Sequence, residues 1–134
     1  MNADDFSDYD YPLKRESEAI IGASYAVLNA MGHGLHEKIY ENALGVEFAL
    51  QGIAFEQQKQ FPVIYRNTQV GLFVPDLIVF GQIIVDTKTI DRITDHEVGQ
   101  MLNYLRITGL KLGLLLNFKH SKLGIRRVAL SSHS

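Results

Sequence analysis

Cysteine is absent from the 134 residues, which excludes disulfides and thiolate metal sites. No apolar run approaches the roughly 18–20 residues that span a bilayer, so no membrane association is expected. The opening stretch, MNADDFSDYDYP, lacks the basic-then-apolar order of a secretory leader. A cytoplasmic location is the expectation that follows. Acidic residues are missing after Glu97: all 15 lie in residues 1–97 beside 7 Lys and Arg, whereas residues 98–134 hold the other 6 cations. That basic end either faces a polyanion such as a nucleic-acid backbone or is a solvated surface balancing an acidic one. Arg106, Lys111, Lys119, Lys122, Arg126 and Arg127 are its members.

What is present suits a compact fold. Hydrophobic residues make up 46% and charged residues 21%, the composition of an ordinary globule with one core. Residues 1–12 read as a flexible acidic tail ahead of a single domain over 13–131. A first helix is predicted from about Lys14 to Met31, with Ile20, Ser24, Val27 and Met31 on one stripe and Ile21 and Leu28 widening it. A second runs from about Leu35 to Gln51, its expected inward stripe Ile39, Ala43, Val46 and Leu50, and Gly52 its cap. Strand signals follow in residues 61–66, 70–80 and 82–90. Thr94-Asp-His-Glu97 has capping-box spacing and starts a helix to about Thr108, with Val98, Met101, Leu102 and Leu105 inward and Gly109 as cap. Residues 112–118 and 124–130 read as two further strands. A helix linking strands implies a mixed sheet with helices on its faces.

Several motifs fall away. GHGLHE has neither a third glycine nor a preceding strand, so it is no dinucleotide loop. HEKIY carries Tyr40 where a zinc-protease helix needs a second His, and His33 and His36 have no third zinc ligand to join them. A serine hydrolase has no Gly-x-Ser-x-Gly to support it.

The charged pair in IIVDTKTI (83–90) is harder to dismiss. Alternation puts Asp86 and Lys88 on one face with Ile84, inside an otherwise apolar strand. A bend at Phe80–Gln82 makes a hairpin that brings Asp76 close to Asp86. Two carboxylates so placed repel unless a cation lies between them. Hard oxygen ligands suit Mg²⁺ or Mn²⁺, which polarises a phosphoryl oxygen and lowers the pKa of water. A neighbouring ammonium can stabilise charge developing on a phosphate. The alternative is an exposed Asp86–Lys88 pair and a solvent-facing Asp76. Glu37 and Tyr40, three apart on the second helix, and Gln100 and Tyr104, four apart on the third, add polar groups able to orient a ligand or contact a phosphate.

The ordered set Glu37, Pro75-Asp76, Asp86-x-Lys88 and Gln100-x3-Tyr104 resembles the PD-(D/E)xK nuclease superfamily. With GLHEKIYENAL, VDTKTI, QMLNYLRITGLKLGLLLNF and IRRVAL it resembles the small GxxExxY family within it, over about residues 15–130. The resemblance implies an α/β fold with a restriction-endonuclease-like αβββαβ core, a mixed central sheet flanked by helices. It implies a metal-dependent nuclease acting on nucleic acid, DNA in the first instance, with Mg²⁺ or Mn²⁺ as cofactor. Asp76, Asp86 and Glu37 would be metal-binding carboxylates, the Thr87 carbonyl a backbone ligand and Lys88 the catalytic lysine. Gln100, Tyr104 and Tyr40 would support the site. Lys111, Lys119, Arg126 and Arg127 are candidates for holding the backbone. Those relatives usually carry Glu where this chain has the shorter Asp86. A catalytically silent nuclease fold serving in binding is the competing expectation, and a homodimer or a protein partner remains open.

Overall fold

A computed structural model describes residues 12–130. The expected acidic tail lies outside them except for Pro12, as does residue 131. Helices α1 (Lys14–Met31) and α2 (Glu37–Leu50) come first, followed by β1 (Phe55–Gln57), β2 (Phe61–Tyr65), β3 (Thr68–Phe73), β4 (Leu77–Val79) and β5 (Ile83–Lys88). Then come α3 (Asp95–Thr108), β6 (Leu112–Asn117) and β7 (Gly124–Ala129). The central sheet runs β1-β4-β5-β6-β7, and β2 and β3 form a separate hairpin. Only β5 and β6 pair in parallel within it, joined by the α3 crossover; the other pairs are antiparallel. Taking α2, β1, β4, β5, α3 and β6 in order gives the αβββαβ core, with the β2–β3 hairpin inserted and β7 appended.

Strand alternation splits the apolar residues between two layers. Leu77, Val79, Ile83, Val85, Leu112, Leu114 and Leu116 face α1 and α2, packing on Ile20, Leu44 and Phe48. Ile78, Ile84, Leu115 and Val128 face α3, packing on Met101 and Leu105, with Val98 and Leu102 partly buried beside them. Helix α3 begins where the sequence places it: Thr94 N–H donates to Glu97 Oε1 at 2.7 Å, completing a capping box. It ends at Gly109, whose φ of 76° suits a residue without Cβ.

Four expectations need correction. The run 70–80 is two strands in two sheets, because buried Pro75 can donate no ladder bond and ends the pairing of β3. Strand β1 was not foreseen; only Phe55 in it is apolar, and its partner is the distant β4. On α1 the buried stripe stops a turn early, leaving Met31 45% exposed. The face of α2 is misphased: Ile39, Val46 and Leu50 are exposed, and Tyr40, Glu41, Leu44 and Phe48 point inward.

Among the described residues, no helix is long and apolar enough to cross a membrane.

Gly113 sets the distance between α3 and the sheet. A Cβ there would collide with Sδ and Cγ of Met101, so that this fully buried side chain would have to shift within the packed layer. Gly113→Ala is therefore expected to lower stability by about 1–3 kcal/mol. A urea midpoint unchanged from wild type would refute that close fit.

Candidate functional site

The hairpin β4–β5 turns through Phe80 and Gly81, both at positive φ, with Gln82 N–H donating to Val79 O at 3.1 Å. Its register pairs Leu77 with Val85, so residue 76 stands opposite residue 86 one step further on. Here the backbone of β4 gives out and the Asp76 side chain takes over. Its Oδ2 accepts Thr87 N–H at 2.9 Å and the Thr87 hydroxyl at 3.1 Å. Asp76 N–H points back to Asp86 Oδ1 at 3.5 Å. The two acids thus meet at the end of the hairpin, and Asp86 is buried.

Burial pushes the Asp76 carboxyl up to about 7, and the charge of Asp86 adds to it, against the pull of the Thr87 N–H. Asp86 is raised as well, first by burial; Lys88 opposes this, while Glu37 and Glu41 add to it. Both shifts say that the protein alone does not neutralise the pair.

Lys88 is half-buried at the end of β5, where its carbonyl accepts Phe118 N–H at 2.8 Å. Glu37 opens α2, and its carbonyl lies 3.4 Å from the Thr87 hydroxyl. Tyr40 lies deeper than the acids. Fully buried, it donates to Gly32 O at 2.6 Å, accepts Leu35 N–H at 3.0 Å and stacks on Phe118 at 4.3 Å. Together with Gly34, whose N–H binds Phe118 O at 2.8 Å, it fixes the turn from which Glu37 emerges. Tyr104 stacks on Phe73 at 3.9 Å and so docks the β2–β3 hairpin on α3. Gln100 is half-buried on the same helix.

Glu41 was missed from sequence. It is buried one turn after Glu37, and its Oε2 accepts from Lys38, Gln57 and Gln58 at 2.9, 2.7 and 2.8 Å. Burial pushes its carboxyl up, but those three bonds outweigh it and leave it lowered. The i, i+4 spacing from Glu37 was the available signal, hidden by the misread face of α2.

The basic residues separate. Lys119 is exposed just past β6, at the Lys88 end of the sheet. Arg126 stands on β7 opposite Leu115, on the α3 face. Arg127 faces the other layer and donates to Ser17 Oγ at 2.9 Å and Pro12 O at 2.6 Å, tying β7 to the start of α1. Lys111 precedes β6, at the opposite end of the sheet from Asp86 and Lys88.

Asp76, Asp86 and the Thr87 carbonyl make a donor set that fits a hard divalent cation, which keeps several waters and needs only one or two carboxylates. Among the described residues no three acids or imidazoles converge to hold an ion by themselves.

The family model of the PD-(D/E)XK nuclease superfamily matches residues 14–128. The crystal structure of SSO0001 is similar in fold, with a TM-score of 0.50 at 18% identity, covering 90% of this chain and 62% of that one. The chain thus spans less than two thirds of that protein's length. No protein in the curated comparison matches significantly.

The Asp76 shift has a sign that can be tested. Its folded value, about 7, exceeds the unfolded value of about 3.9. The stability this contributes is complete below pH ~4 and is lost as pH rises through ~7. In chelator-containing buffer, Asp76→Asn should flatten the dependence of melting temperature on pH across that window and melt above wild type at pH 8. A variant that melts below wild type at pH 8 would mean that the Asp76–Thr87 bonds outweigh the repulsion.

Proposed function

The chain belongs to the PD-(D/E)XK nuclease superfamily, and from that premise we propose that it is a divalent-metal-dependent nuclease hydrolysing phosphodiester bonds in DNA. One observation carries the reading: Asp76 and Asp86, from neighbouring strands, meet at the end of a hairpin with both carboxyls raised, and Lys88 follows on the same strand. Asp76, Asp86 and the Thr87 carbonyl would hold Mg²⁺ or Mn²⁺, with Glu37 beside them at the start of α2, since its carboxylate does not complete a three-acid cluster among the described residues. The ion would supply Lewis-acid polarisation of a phosphoryl oxygen. Lys88 would direct its ammonium at the developing phosphate charge or orient the attacking water. Gln100 and Tyr104 would support the site from α3, Tyr104 by seating the hairpin beside it. The narrower assignment to the GxxExxY family rests on Gly34, Glu37 and Tyr40, which build the entry to α2 as one unit.

A second reading, a nuclease fold kept for binding without catalysis, is favoured by one observation: no three acids converge among the described residues. Cleavage decides between the two. Wild type incubated with single- and double-stranded DNA and RNA should cut in Mg²⁺ or Mn²⁺ and not in EDTA. Asp86→Ala and Lys88→Ala should each lose on the order of 10²-fold or more. Wild type no faster than these variants removes the enzyme.

Metal binding has its own readout. Calorimetric titration with Mn²⁺ should show affinity rising with pH through about 7, because Asp76 must release its proton first. Asp76→Ala should abolish the binding; an unchanged isotherm excludes Asp76 as a ligand.

A further inference from the structure

Beyond Asp86 and Lys88, a cleft of about 280 Å³ opens between the β5–α3 connection and the ends of β6 and β7. Its lining carries three cations, Arg92, Lys122 and Arg126, against one acid, Asp91. Arg92 and Lys122 are exposed, and Arg126 is half-buried.

Sheet register ties this cleft to the acidic pair. Asp86, Leu115 and Arg126 form one row across β5, β6 and β7; Lys88, Asn117 and Gly124 form the next. Alternation places Asp86, Lys88, Asn117 and Arg126 on the face they share with Ile84 and Leu115, the α3 side. Two strand spacings, ~10 Å, separate the backbone of Arg126 from that of Asp86. That spacing sets Arg126 to the side of the acidic pair, near enough to hold another phosphate of the same strand.

The cleft is also built rigidly. Asn117, buried at its floor, donates to Ile90 O at 2.8 Å and accepts from Ile90 N–H at 3.1 Å and Lys119 N–H at 3.2 Å. One side chain thereby fixes both connections that bring in Arg92 and Lys122. His120 clips them together, its ring nitrogen 2.7 Å from Asp91 O. Gly124 keeps the lower row open, since a Cβ there would press on Asn117 Cβ at 3.1 Å.

We infer that this cleft is a phosphate subsite that grips the nucleic-acid backbone beside the scissile position, with Arg92, Lys122 and Arg126 as its cations. Guanidinium forks match phosphate oxygens, and a fixed ammonium adds a point charge. The identity of the strand rests on the nuclease reading above; the grip itself needs no cleavage.

Fluorescence anisotropy of a labelled single-stranded oligonucleotide, with the full chain in EDTA at neutral pH, separates the two. Arg92→Ala and Lys122→Ala, both at exposed positions, should each weaken binding roughly five- to tenfold and lower the slope of log K against log salt by about 0.7. Lys111→Ala, at the far end of the sheet, should bind like wild type. No binding by wild type, equal binding by the cleft variants, or an equal loss in Lys111→Ala overturns the subsite. If the cleft variants bind weakly while no protein cuts in Mg²⁺ or Mn²⁺, the subsite stands and the nuclease reading falls. If they bind and cut like wild type, the nuclease stands and the subsite falls.

Discussion

The Asp76 carboxylate, accepting two bonds from Thr87, holds the rest of the site in place. Without it, the last residues of β5 would have no partner on the β4 side, since β4 ends at Leu77. The cost is electrostatic. The same contact sets a second carboxylate beside buried Asp86, and burial raises both. A structural role alone would be served by an uncharged acceptor. Two acids in this position favour positive charge beside them, and a proton supplies it at low pH.

That contact is one link in a closed circuit. Gln58 N–H donates to Asp76 O, Gln58 and Gln57 side chains reach Glu41 on α2, and the Thr87 hydroxyl approaches Glu37 O at the start of the same helix. Helix α2 is in turn seated by Tyr40, whose hydroxyl bridges Gly32 and Leu35 and whose ring lies on Phe118. The Gly-x-x-Glu-x-x-Tyr spacing is thus mechanical. Its glycine permits the turn at φ 81°, its tyrosine anchors that turn, and its glutamate is delivered to β5.

Where local chemistry decides, the sequence was readable. Phe80–Gly81 fixes the hairpin register, so the meeting of Asp76 with Asp86 followed from counting outward from the bend. Thr94 and Glu97 start α3 by themselves. Where packing decides, it was not. Helix α2 carries two interleaved apolar stripes, Ile39/Ala43/Val46/Leu50 and Tyr40/Leu44/Phe48, and periodicity cannot rank them. Phe118 and the 32–36 turn choose the second, and with it bring Glu41 inward. Strand β1 has one partly buried apolar residue and exists because β4 needs an edge partner.

Charge along the chain misleads for a related reason. Six cations crowd the last 37 residues, yet the fold sends Lys111 to one end of the sheet and turns Arg127 into the α1 layer. Parallel pairing of β5 with β6 sorts the others. Because both strands run the same way, Lys88 and Asn117 finish side by side, and the chain leaves both at one end. The connections after them carry Arg92, Lys119, His120 and Lys122, while β7 returns antiparallel to add Arg126. Ligands of open α/β sheets gather at the carboxyl ends of parallel strands for this topological reason. Here that end is divided: an acidic half with Asp76 and Asp86, and a basic half with Arg92, Lys122 and Arg126.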